Sequence, residues 1–345
     1  MELKEFIYEL PQSLIAAYPS EDRAAARLMV VQRDTGEFFH SDFSHLGEFL
    51  QPGDLLVLND TRVLPARLRG QKESGGKVEV LLLESFPKWS SLWLALVDAA
   101  KKPRVGSRIL FSQGFYAEVI GEMGRGRYGL RFLPEGDFME HLAKLGEPPL
   151  PPYVHRSRNL EPCDWERYQT VYASSPGAIA APTAGFHFTR ELLAELKSRG
   201  VDAAFLTLHV GPGTFQPVRE ELVEHHRMEG ERYILKAETA ERIARAKKSG
   251  KRVVAIGSTT TRALEWVAKK KGSVQADKGI ARLFICPGDT IRVIDGLITN
   301  FHLPGSTPLI LVAAFVGLDL VRRAYQEAIR LRYRFYSYGD AMLIL

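Results

Sequence analysis

The hydrophobic pattern of one stretch of the chain, residues 63–150, is typical of a β-rich module. Short segments in which apolar and polar residues alternate follow one another there, separated by turn-forming residues about every 8 to 15 positions. These segments cover residues 78–83, 93–97, 108–111, 117–120 and 128–132. Only residues 137–145 have a helical pattern, and the stretch as a whole predicts a small all-β barrel.

The rest of the chain alternates between strands and helices. Strand-like runs occur at 27–32, 55–58, 203–210 and 252–256, and helical patterns occur at 189–199, 237–249 and 262–271. This alternation predicts a layered sheet covered by helices. The proline-rich segment 148–152 favours an extended backbone, which is typical of a domain boundary. We therefore predict a mixed α/β main domain, residues 1–62 and 151–345, interrupted by an inserted barrel domain, residues 63–150.

Composition excludes several classes of protein. The 345-residue chain has only two cysteines, too few for a disulfide framework or a four-cysteine zinc site. The longest apolar run, residues 308–318, is far shorter than the roughly 20 residues of a membrane-spanning helix. The first residues carry acids where a signal peptide has bases. We expect a cytoplasmic protein in a reducing compartment.

Four loops rich in glycine, threonine, serine and proline follow strand-like runs. Three of them carry or border a histidine, at residues 182–189, 208–215 and 300–307, and the fourth spans residues 257–261. In open α/β sheets, ligands bind beyond the ends of strands, where loop amides and helix N-termini collect. Each loop taken alone is better explained by helix caps and turns than by ligand binding. Together the four loops predict one shared pocket.

Two motifs in the chain do not support the function that their letters suggest, and a third motif is absent. Residues 226–229 have an H-x-x-E spacing without a second half, so we expect no metal. The G-x-G-x-x-G match at residues 124–129 lies between two strand patterns, which predicts a glycine-rich hairpin and not a dinucleotide site. No phosphate-binding P-loop motif occurs.

Arginines and aromatic residues are interleaved near the end of the chain. Arginine with aromatic rings suits phosphate contact and stacking on unpaired bases, whereas the alternative is a solvated helix face with extended arginine side chains. The cluster comprises Arg322, Arg323, Arg330, Arg332 and Arg334 with Tyr325, Tyr333, Phe335, Tyr336 and Tyr338. We select Arg330, Arg332, Arg334 and Tyr336 as candidate nucleic-acid-binding residues.

Six long motifs run in order along nearly the whole chain. They are YPSEDRAAARL at 18–28, LNDTRVLPAR at 58–67, PTAGFH at 182–187, HVGPGTF at 209–215, LITNFHLPGST at 297–307 and YRFYSYGDAM at 333–342. In these motifs the chain resembles the S-adenosylmethionine:tRNA ribosyltransferase-isomerases, enzymes of queuosine synthesis. It departs from the family pattern only in small ways, with Phe186 in place of leucine and Pro308 in place of an apolar residue.

The resemblance implies a fold, a reaction and a set of partners. Members have an α/β domain interrupted by a small β-barrel. They use S-adenosylmethionine as a ribosyl donor toward 7-aminomethyl-7-deazaguanine at the wobble position of tRNA with a GUN anticodon. The products are epoxyqueuosine-tRNA, adenine and methionine. S-adenosylmethionine is consumed as a substrate, so we expect no cofactor and no metal, and we expect a monomer.

The chemistry that the resemblance implies assigns hypothetical roles to motif residues. His209 and His302 are candidates for the base that deprotonates the carbon beside the sulfonium and for the acid that assists adenine release. Asp60 and Asp340 would pair with the amine or the sulfonium. The substrate-binding candidates are Asn59, Thr61, Arg62, Arg67, Arg23, Thr183, Gly185, His187, Gly213, Thr214, Ser258, Thr260, Asn300 and Ser306.

Three arginines among these candidates have an open assignment. Arg23, Arg62 and Arg67 would hold either the methionine carboxylate of S-adenosylmethionine or a tRNA phosphate. A structural alternative for Arg62 is a buried ion pair with Asp60 at the boundary of the inserted module.

Two other classes of function remain open from the sequence alone. The first is an enzyme that binds S-adenosylmethionine or a nucleotide and acts on a small molecule, with basic clusters that only solvate the surface. The second is a non-catalytic RNA-binding protein. Salt-sensitive tRNA binding argues against the first, and adenine release from S-adenosylmethionine argues against the second.

Overall fold

The computed structural model describes residues 1–86, 91–134, 138–151, 161–211, 213 and 218–345. The chain forms two compact units. One comprises Met1–Arg62, Pro152–Pro176 and Ala181–Leu345, and the other comprises Val63–Pro151 and Gly177–Ala180. Pro151 and Gly177–Ala180, which the sequence prediction assigns to the main domain, thus belong to the second unit, and Ile179 packs into the hydrophobic core of that unit.

Seventeen strands are found in the described ranges. In chain order they are β1 (Arg27–Val31), β2 (Phe38–Asp42), β3 (Leu55–Asn59), β4 (Thr61–Val63), β5 (Arg67–Lys72), β6 (Lys77–Ser85), β7 (Leu92–Asp98), β8 (Arg108–Ser112), β9 (Phe115–Glu122), β10 (Arg127–Leu133), β11 (Ser175–Ala178), β12 (Asp202–Leu208), β13 (Glu231–Leu235), β14 (Val253–Ile256), β15 (Asp277–Ala281), β16 (Gly296–Asn300) and β17 (Ala341–Ile344).

The same described ranges contain seven α-helices. They are α1 (Phe138–Leu145), α2 (Asp164–Arg167), α3 (Arg190–Ser198), α4 (Ala237–Lys248), α5 (Ser258–Lys271), α6 (Thr307–Val316) and α7 (Leu318–Arg330). Short 3-10 segments lie at Leu3–Phe6, Gln12–Leu14, Phe43–Glu48, Thr183–His187 and Val223–His225. None of the helices so described is long and apolar enough to cross a bilayer.

The first unit is built on a mixed sheet. Its nine strands within the described chain follow the order β15-β13-β12-β3-β14-β16-β17-β1-β2. The four central strands β12, β3, β14 and β16 are parallel to their neighbours in that group. Because β3, β14 and β16 are buried along their whole length, their sequences are nearly continuous apolar runs. The segments that follow these four strands consequently meet at one edge of the sheet.

Helix α3 illustrates how the helices cover this sheet. Thr189 caps its first turn by accepting a hydrogen bond from the backbone N–H of Leu192 at 3.0 Å. Leu192 and Leu196, one turn apart, pack into a core that includes Leu56 and Leu58 of β3. The predicted α/β layering is therefore confirmed.

The second unit is a closed barrel with the strand order β10-β7-β6-β5-β8-β9. Buried and partly exposed residues alternate along β7, and its inward side chains include Trp93 and Ala95. The sequence pattern does not reveal β5, because Leu68 is its one buried residue. This polar strand closes the barrel by pairing with β6 and β8. The G-x-G-x-x-G letters at 124–129 belong to the β9–β10 hairpin, as predicted.

A buried ion pair joins the amino ends of two central strands. The carboxylate of Asp54, only 1% exposed, lies just before β3 and accepts hydrogen bonds from Arg252 Nε at 3.1 Å and Nη2 at 2.5 Å. Arg252 lies just before β14, and its carbonyl accepts a hydrogen bond from Leu55 N–H at 2.9 Å. The pair therefore fixes the register of β14 against β3.

We expect Arg252→Met to lower the free energy of unfolding by about 3 kcal/mol, because it leaves a buried carboxylate unpaired. Urea unfolding of the purified variant measures this loss. The matched control is Lys248→Met at an exposed position of α4, which should change stability by less than about 0.5 kcal/mol. Equal stability of the two variants would contradict the assigned role of the pair.

Candidate functional site

The predicted loops lie at the carboxyl ends of the four parallel strands. Asn59 ends β3, His209 follows β12, Ser258 begins α5 directly beyond β14, and His302 follows β16. Since parallel strands end at the same edge, these side chains come from distant parts of the chain to one region. The predicted shared pocket lies there.

A cavity of about 130 Å³ opens at this edge, entirely within the first unit. Its walls combine small apolar residues with neutral polar groups. The lining residues are Ala181, Pro182, Thr183, Ala184, Val210, Gly257, Ser258, Thr259, Thr299, Asn300, His302, Leu303, Pro304, Ser306, Pro308, Tyr336 and Ser337. No lysine, arginine, aspartate or glutamate occurs in that lining, so the described wall carries no fixed charge.

Two helices begin at the cavity wall. Helix α5 starts after Gly257, whose φ of +88° favours glycine and lets the chain turn directly from β14 into the helix. Helix α6 starts after Ser306, whose hydroxyl donates to the carbonyl of Leu303 at 2.7 Å. The first N–H groups of each helix have no partner within it, so these ends carry partial positive charge.

His302 is held in the cavity wall from several sides. Its backbone N–H donates to the hydroxyl of Tyr325 at 3.0 Å, and its carbonyl accepts a hydrogen bond from the hydroxyl of Tyr8. Its Nε2 lies 2.7 Å from the hydroxyl of Thr299. Burial lowers the pKa of its imidazole to about 3, so the ring is neutral at pH 7.

His187 lies behind the wall in a short hydrogen-bonded chain. Thr183 donates its hydroxyl proton to Asn300 Oδ1 at 3.0 Å, and Asn300 Nδ2 lies 3.1 Å from His187 Nε2. Burial lowers the pKa of His187 to about 3, with smaller effects from the guanidinium groups of Arg334 and Arg23. Because a neutral Nε2 accepts from the Asn300 amide, His187 orients a residue that faces the cavity.

A second polar cluster joins β3, β4 and β12. The carboxylate of Asp60 accepts hydrogen bonds from Thr207 at 2.6 Å and from Ser174 at 2.9 Å. Next to it, the hydroxyl of Thr61 lies 2.8 Å from His209 Nδ1. Burial lowers the pKa of His209 below its usual value, Arg232 adds to the shift, and Asp60 opposes it. Neither Asp60 nor His209 is part of the cavity lining.

Asn59 connects this cluster to the cavity. It is fully buried, and its amide spans β3 and β12 by accepting from Leu208 N–H and donating to Leu208 O, each at 2.9 Å. The same amide accepts from Thr61 N–H at 3.2 Å and donates weakly to Thr259 Oγ1 at 3.4 Å. Because Thr259 lines the cavity, Asn59 links its wall to the Asp60–His209 cluster.

Asp340 occupies a structural position. Its carboxylate accepts hydrogen bonds from Arg27 Nε at 3.2 Å and Nη2 at 3.1 Å, and from the backbone N–H groups of Arg27 and Arg334 at 3.1 and 2.7 Å. It is buried and does not line the cavity. Its oxygens therefore already hold β1 and the segment before β17.

The three candidate arginines lie in different surroundings. Arg23 donates to the carbonyls of Phe186 at 3.2 Å and Glu166 at 2.9 Å. Arg62 is exposed, and no ion pair joins it to Asp60, so the alternative of a buried pair is wrong. Arg67 belongs to β5 of the second unit, where it pairs with Glu79 and donates to the Leu150 carbonyl at 2.9 Å.

The remaining small candidates also differ in position. A Cβ at Gly185 would lie 2.0 Å from the hydroxyl of Tyr172, so glycine is required for close packing there. A Cβ at Gly213 would lie 3.0 Å from Glu229 Cβ. Thr260 is fully buried and donates its hydroxyl proton to the Ile256 carbonyl at 2.7 Å. Thr214 lies outside the described residues.

The arginine–aromatic cluster is divided by the fold. The rings of Tyr325, Tyr333, Phe335 and Tyr338 are buried in the first unit, so they offer no surface for stacking on bases. Tyr336 is different, because it lies on the cavity wall with a φ of +75°, a conformation that is uncommon for a tyrosine.

The candidate arginines of this cluster have separate surroundings. Arg330 and Arg332 are exposed, and Arg330 pairs with Glu327 at 2.6 Å. Arg334 is partly buried and donates to Ser20 Oγ at 3.0 Å.

The structure thus brings together part of the predicted set and adds residues that the sequence reasoning missed. Thr183, Ser258, Asn300, His302, Ser306 and Tyr336 line the cavity. Thr259, Thr299 and Ser337 line it as well, and Tyr8 supports it from the N-terminal segment. Thr259 belongs to a loop that the sequence singles out, but helical phase decides which hydroxyl of that loop faces the cavity. No group of three or more potential metal-binding side chains is found among the described residues.

We expect His187 to make stability depend on pH. Its folded pKa of about 3 lies below the unfolded value near 6.5, so the unfolded state binds more protons between these limits and stability falls as pH drops below about 6.5. The slope of the free energy of unfolding against pH should be smaller in His187→Asn than in the wild type, by up to about 1.4 kcal/mol per pH unit near pH 5. Urea unfolding from pH 7.5 to 5 measures the slope. The exposed His225→Asn variant is the control and should keep the wild-type slope, whereas an unchanged slope in His187→Asn would contradict the assignment.

Comparisons with known proteins agree along the whole chain. A family model described as queuosine biosynthesis protein matches residues 3–344. The chain is 50% identical over 348 residues to the S-adenosylmethionine:tRNA ribosyltransferase-isomerase of Carboxydothermus hydrogenoformans, with 100% of both chains covered. It is 49% identical over 347 residues to the protein of that name from Caldanaerobacter subterraneus subsp. tengcongensis, again with complete coverage.

A solved structure supports the same relationship. The crystal structure of S-adenosylmethionine tRNA ribosyltransferase from Thermotoga maritima is 37% identical, with a TM-score of 0.56, over 99% of this chain and 100% of that one. Sequence and fold therefore agree with the resemblance carried by the six motifs. This chain belongs to the queuosine biosynthesis protein family.

Proposed function

We propose that this protein is an S-adenosylmethionine:tRNA ribosyltransferase-isomerase. It transfers the ribosyl group of S-adenosylmethionine to tRNA and isomerises it, releasing adenine and methionine. The observation that carries the proposal is 49–50% identity along the entire length of relatives with that name. The cavity at the carboxyl edge of the sheet, whose wall combines apolar residues with neutral polar groups, supplies a site of suitable chemistry.

The proposal extends to the substrates and their setting. The acceptor is 7-aminomethyl-7-deazaguanine at the wobble position of tRNA with a GUN anticodon, and the product is epoxyqueuosine. S-adenosylmethionine is consumed as a substrate, without a metal or prosthetic group. The enzyme acts as a monomer in the cytoplasm.

The reaction needs two proton transfers at S-adenosylmethionine and one at the acceptor. A base removes a proton from the 5′ carbon beside the sulfonium, which gives an ylide, and adenine leaves with a proton from an acid. The neutral amine of the modified base then attacks the ribosyl carbon and loses a proton. The ylide carbon then attacks the ribosyl carbon that carries the amine, which breaks the bond from that carbon to the ring oxygen and leaves the oxygen as an alkoxide. The alkoxide attacks the former 5′ carbon, which closes the epoxide and expels methionine as a neutral thioether.

The electrostatics of the cavity suit a substrate with separated charges. Among the described residues, the wall carries no fixed cation that would repel the sulfonium, and His302 is neutral at pH 7. The positive ends of α5 and α6 attract the methionine carboxylate instead. Ser258, Thr259 and Ser306 stand at these helix ends and bind the carboxylate or the ribose hydroxyls.

His302 is the residue of the cavity wall that exchanges protons. Its Nε2 is engaged with Thr299, whereas Nδ1 has no hydrogen-bond partner in the described part of the chain. Burial keeps the imidazole neutral at pH 7, so a ring nitrogen is free to take a proton, but the lowered pKa makes it a weak base. The same burial makes its protonated form a strong acid, which can pass the proton to the departing adenine.

His209 and Asp60 act at the acceptor amine. Both belong to the cluster beyond β3 and β12, in which Thr61 orients His209 through a 2.8 Å contact with Nδ1. A carboxylate and a neutral imidazole can each take up the proton that the attacking amine loses. Asn59 holds this cluster in register with the cavity wall through Thr259.

The wobble base must be unstacked from the anticodon loop to reach the cavity. Tyr336 places an aromatic ring on the wall, and Arg330 and Arg332 lie exposed a few residues before it. The two arginines bind phosphates that flank the unstacked base, while the neighbouring buried rings only support the fold.

We expect His302→Ala to lower kcat at least about 100-fold, because the positioned proton-transfer group is lost. The assay uses tRNA that carries 7-aminomethyl-7-deazaguanine and S-adenosylmethionine labelled in the ribose, and follows label entering tRNA and adenine leaving. The control is His225→Ala, an exposed histidine outside the cavity lining, which should retain wild-type turnover.

The outcomes of this assay separate the proposed function from the role of His302. Label in tRNA with equal adenine release by the wild type supports ribosyl transfer. Wild-type turnover by a correctly folded His302→Ala variant would reject the role of His302 alone. Folded wild-type protein that neither labels tRNA nor releases adenine would reject the proposed function.

We expect Arg330→Gln with Arg332→Asn to weaken tRNA binding and reduce its salt dependence by about one phosphate contact for each arginine. Asparagine is chosen at Arg332 because it tolerates the φ of +57° found there. Binding is measured by filter retention from 50 to 300 mM salt. The charge-matched control is Lys248→Gln with Lys251→Gln, at the opposite edge of the sheet, and an equal effect of both double variants would reject this placement.

A further inference from the structure

Three connections of the barrel share one of its ends. The end of β7 pairs with the start of β6, where Asp98 lies opposite Glu79, and with the start of β10, where Leu96 lies opposite Arg127. The β5–β6, β7–β8 and β9–β10 connections therefore lie together. We define residues 72–77, 98–107 and 122–127 as the basic end.

The charge of the second unit is concentrated at this basic end. Its three segments contain seven basic residues and three acidic ones. The bases are Lys72, Lys77, Lys101, Lys102, Arg104, Arg125 and Arg127, and the acids are Glu73, Asp98 and Glu122. The remaining described residues of the unit contain five bases and five acids. The excess positive charge of the described unit thus lies at one end.

Ion pairs also differ between the basic end and the rest of the barrel. On the barrel wall, Arg108 and Arg131 both face Glu118, at 3.6 and 2.8 Å, and Arg69 faces Glu147 at 2.9 Å. At the basic end, the ion pair found among the described residues is the long contact of Lys102 with Glu122 at 3.9 Å.

Three cations of the basic end are open to solvent. Lys101, Arg104 and Arg125 are exposed, and none has an acidic partner in the described chain. Unpaired, exposed cations are available to bind an anion from outside.

The shape and composition of the basic end indicate which anion it fits. Gly75, Gly106 and Gly124 hold positive φ angles of +81°, +84° and +77°, and a Cβ at each would meet nothing within 4 Å. An extended ligand can therefore approach the backbone of all three connections. The three segments contain no aromatic residue, so they offer no ring for stacking on unpaired bases. Cations without rings suit the phosphates of a base-paired stem.

We propose that the basic end of the barrel binds the phosphate backbone of a base-paired stem of the tRNA substrate. This rests on the proposed function, which supplies the tRNA. The contact depends on charge and not on base sequence, so it adds affinity for tRNA and leaves the choice of anticodon to the site in the first unit.

The test compares two triple variants of the full-length protein with equal loss of charge. The first is Lys101→Gln, Arg104→Gln and Arg125→Gln at the basic end. The second is Arg69→Gln, Arg108→Gln and Arg131→Gln on the wall of the same barrel. Thermal unfolding establishes that both fold, and Kd for unmodified full-length tRNA is measured from 50 to 300 mM salt.

We expect the basic-end variant to raise Kd about ten-fold or more at 150 mM salt and to lower the salt slope by about two to three. The wall variant should keep the wild-type Kd and slope. The basic-end variant should also keep kcat at saturating tRNA within about two-fold of wild type, since its substitutions lie outside the reacting site.

Two results would overturn the proposal. If the basic-end variant keeps the wild-type Kd and salt slope, the cations of the basic end do not bind tRNA. If both triple variants lose tRNA affinity equally, the loss is a general effect of charge. In either case, ribosyl transfer by the wild type would leave the proposed function standing. If the wild type neither binds tRNA nor transfers ribose, the proposed function and this inference fail together.

Discussion

The parallel pairing of four buried strands is the constraint on which the rest of the first unit depends. Because β12, β3, β14 and β16 are parallel, segments separated by up to about 240 residues end at one edge of the sheet. The buried amide of Asn59 holds β12 against β3, and the Asp54–Arg252 pair holds β14 against β3 at the opposite edge. The cavity is a consequence of this alignment.

Burial at that edge gives the cavity its chemical character. A histidine exposed to water is partly charged near neutral pH, whereas His302 and His187 are kept neutral by their surroundings. The described part of the wall therefore presents hydroxyls, an amide, a neutral imidazole and two positive helix ends, and no side chain with a fixed charge. Such a wall can accommodate a cationic sulfonium beside an anionic carboxylate.

Charged side chains have different roles in the two units. In the first unit, buried carboxylates such as Asp54 and Asp340 are each matched by an arginine and stabilise the fold. In the second unit, Arg108 and Arg131 on the side of the barrel pair with Glu118, whereas Lys101, Arg104 and Arg125 at the basic end have no acidic partner among the described residues. Exposed ion pairs add little or nothing measurable to stability. Exposed cations without an acidic partner can instead bind a polyanion.

The sequence by itself determined the fold class, the inserted barrel, the family and the loops that form the site. These follow from local periodicity and contiguous motifs, which a chain displays without folding. It could not determine which residues of those loops reach the cavity: Thr259 does and Thr260 does not, because the phase of α5 turns one hydroxyl toward the cavity and the other toward Ile256. Likewise, Asp340 looks catalytic in its motif, but tertiary structure pairs it with Arg27. Partner choice across the sheet is a long-range property, and only the folded chain decides it.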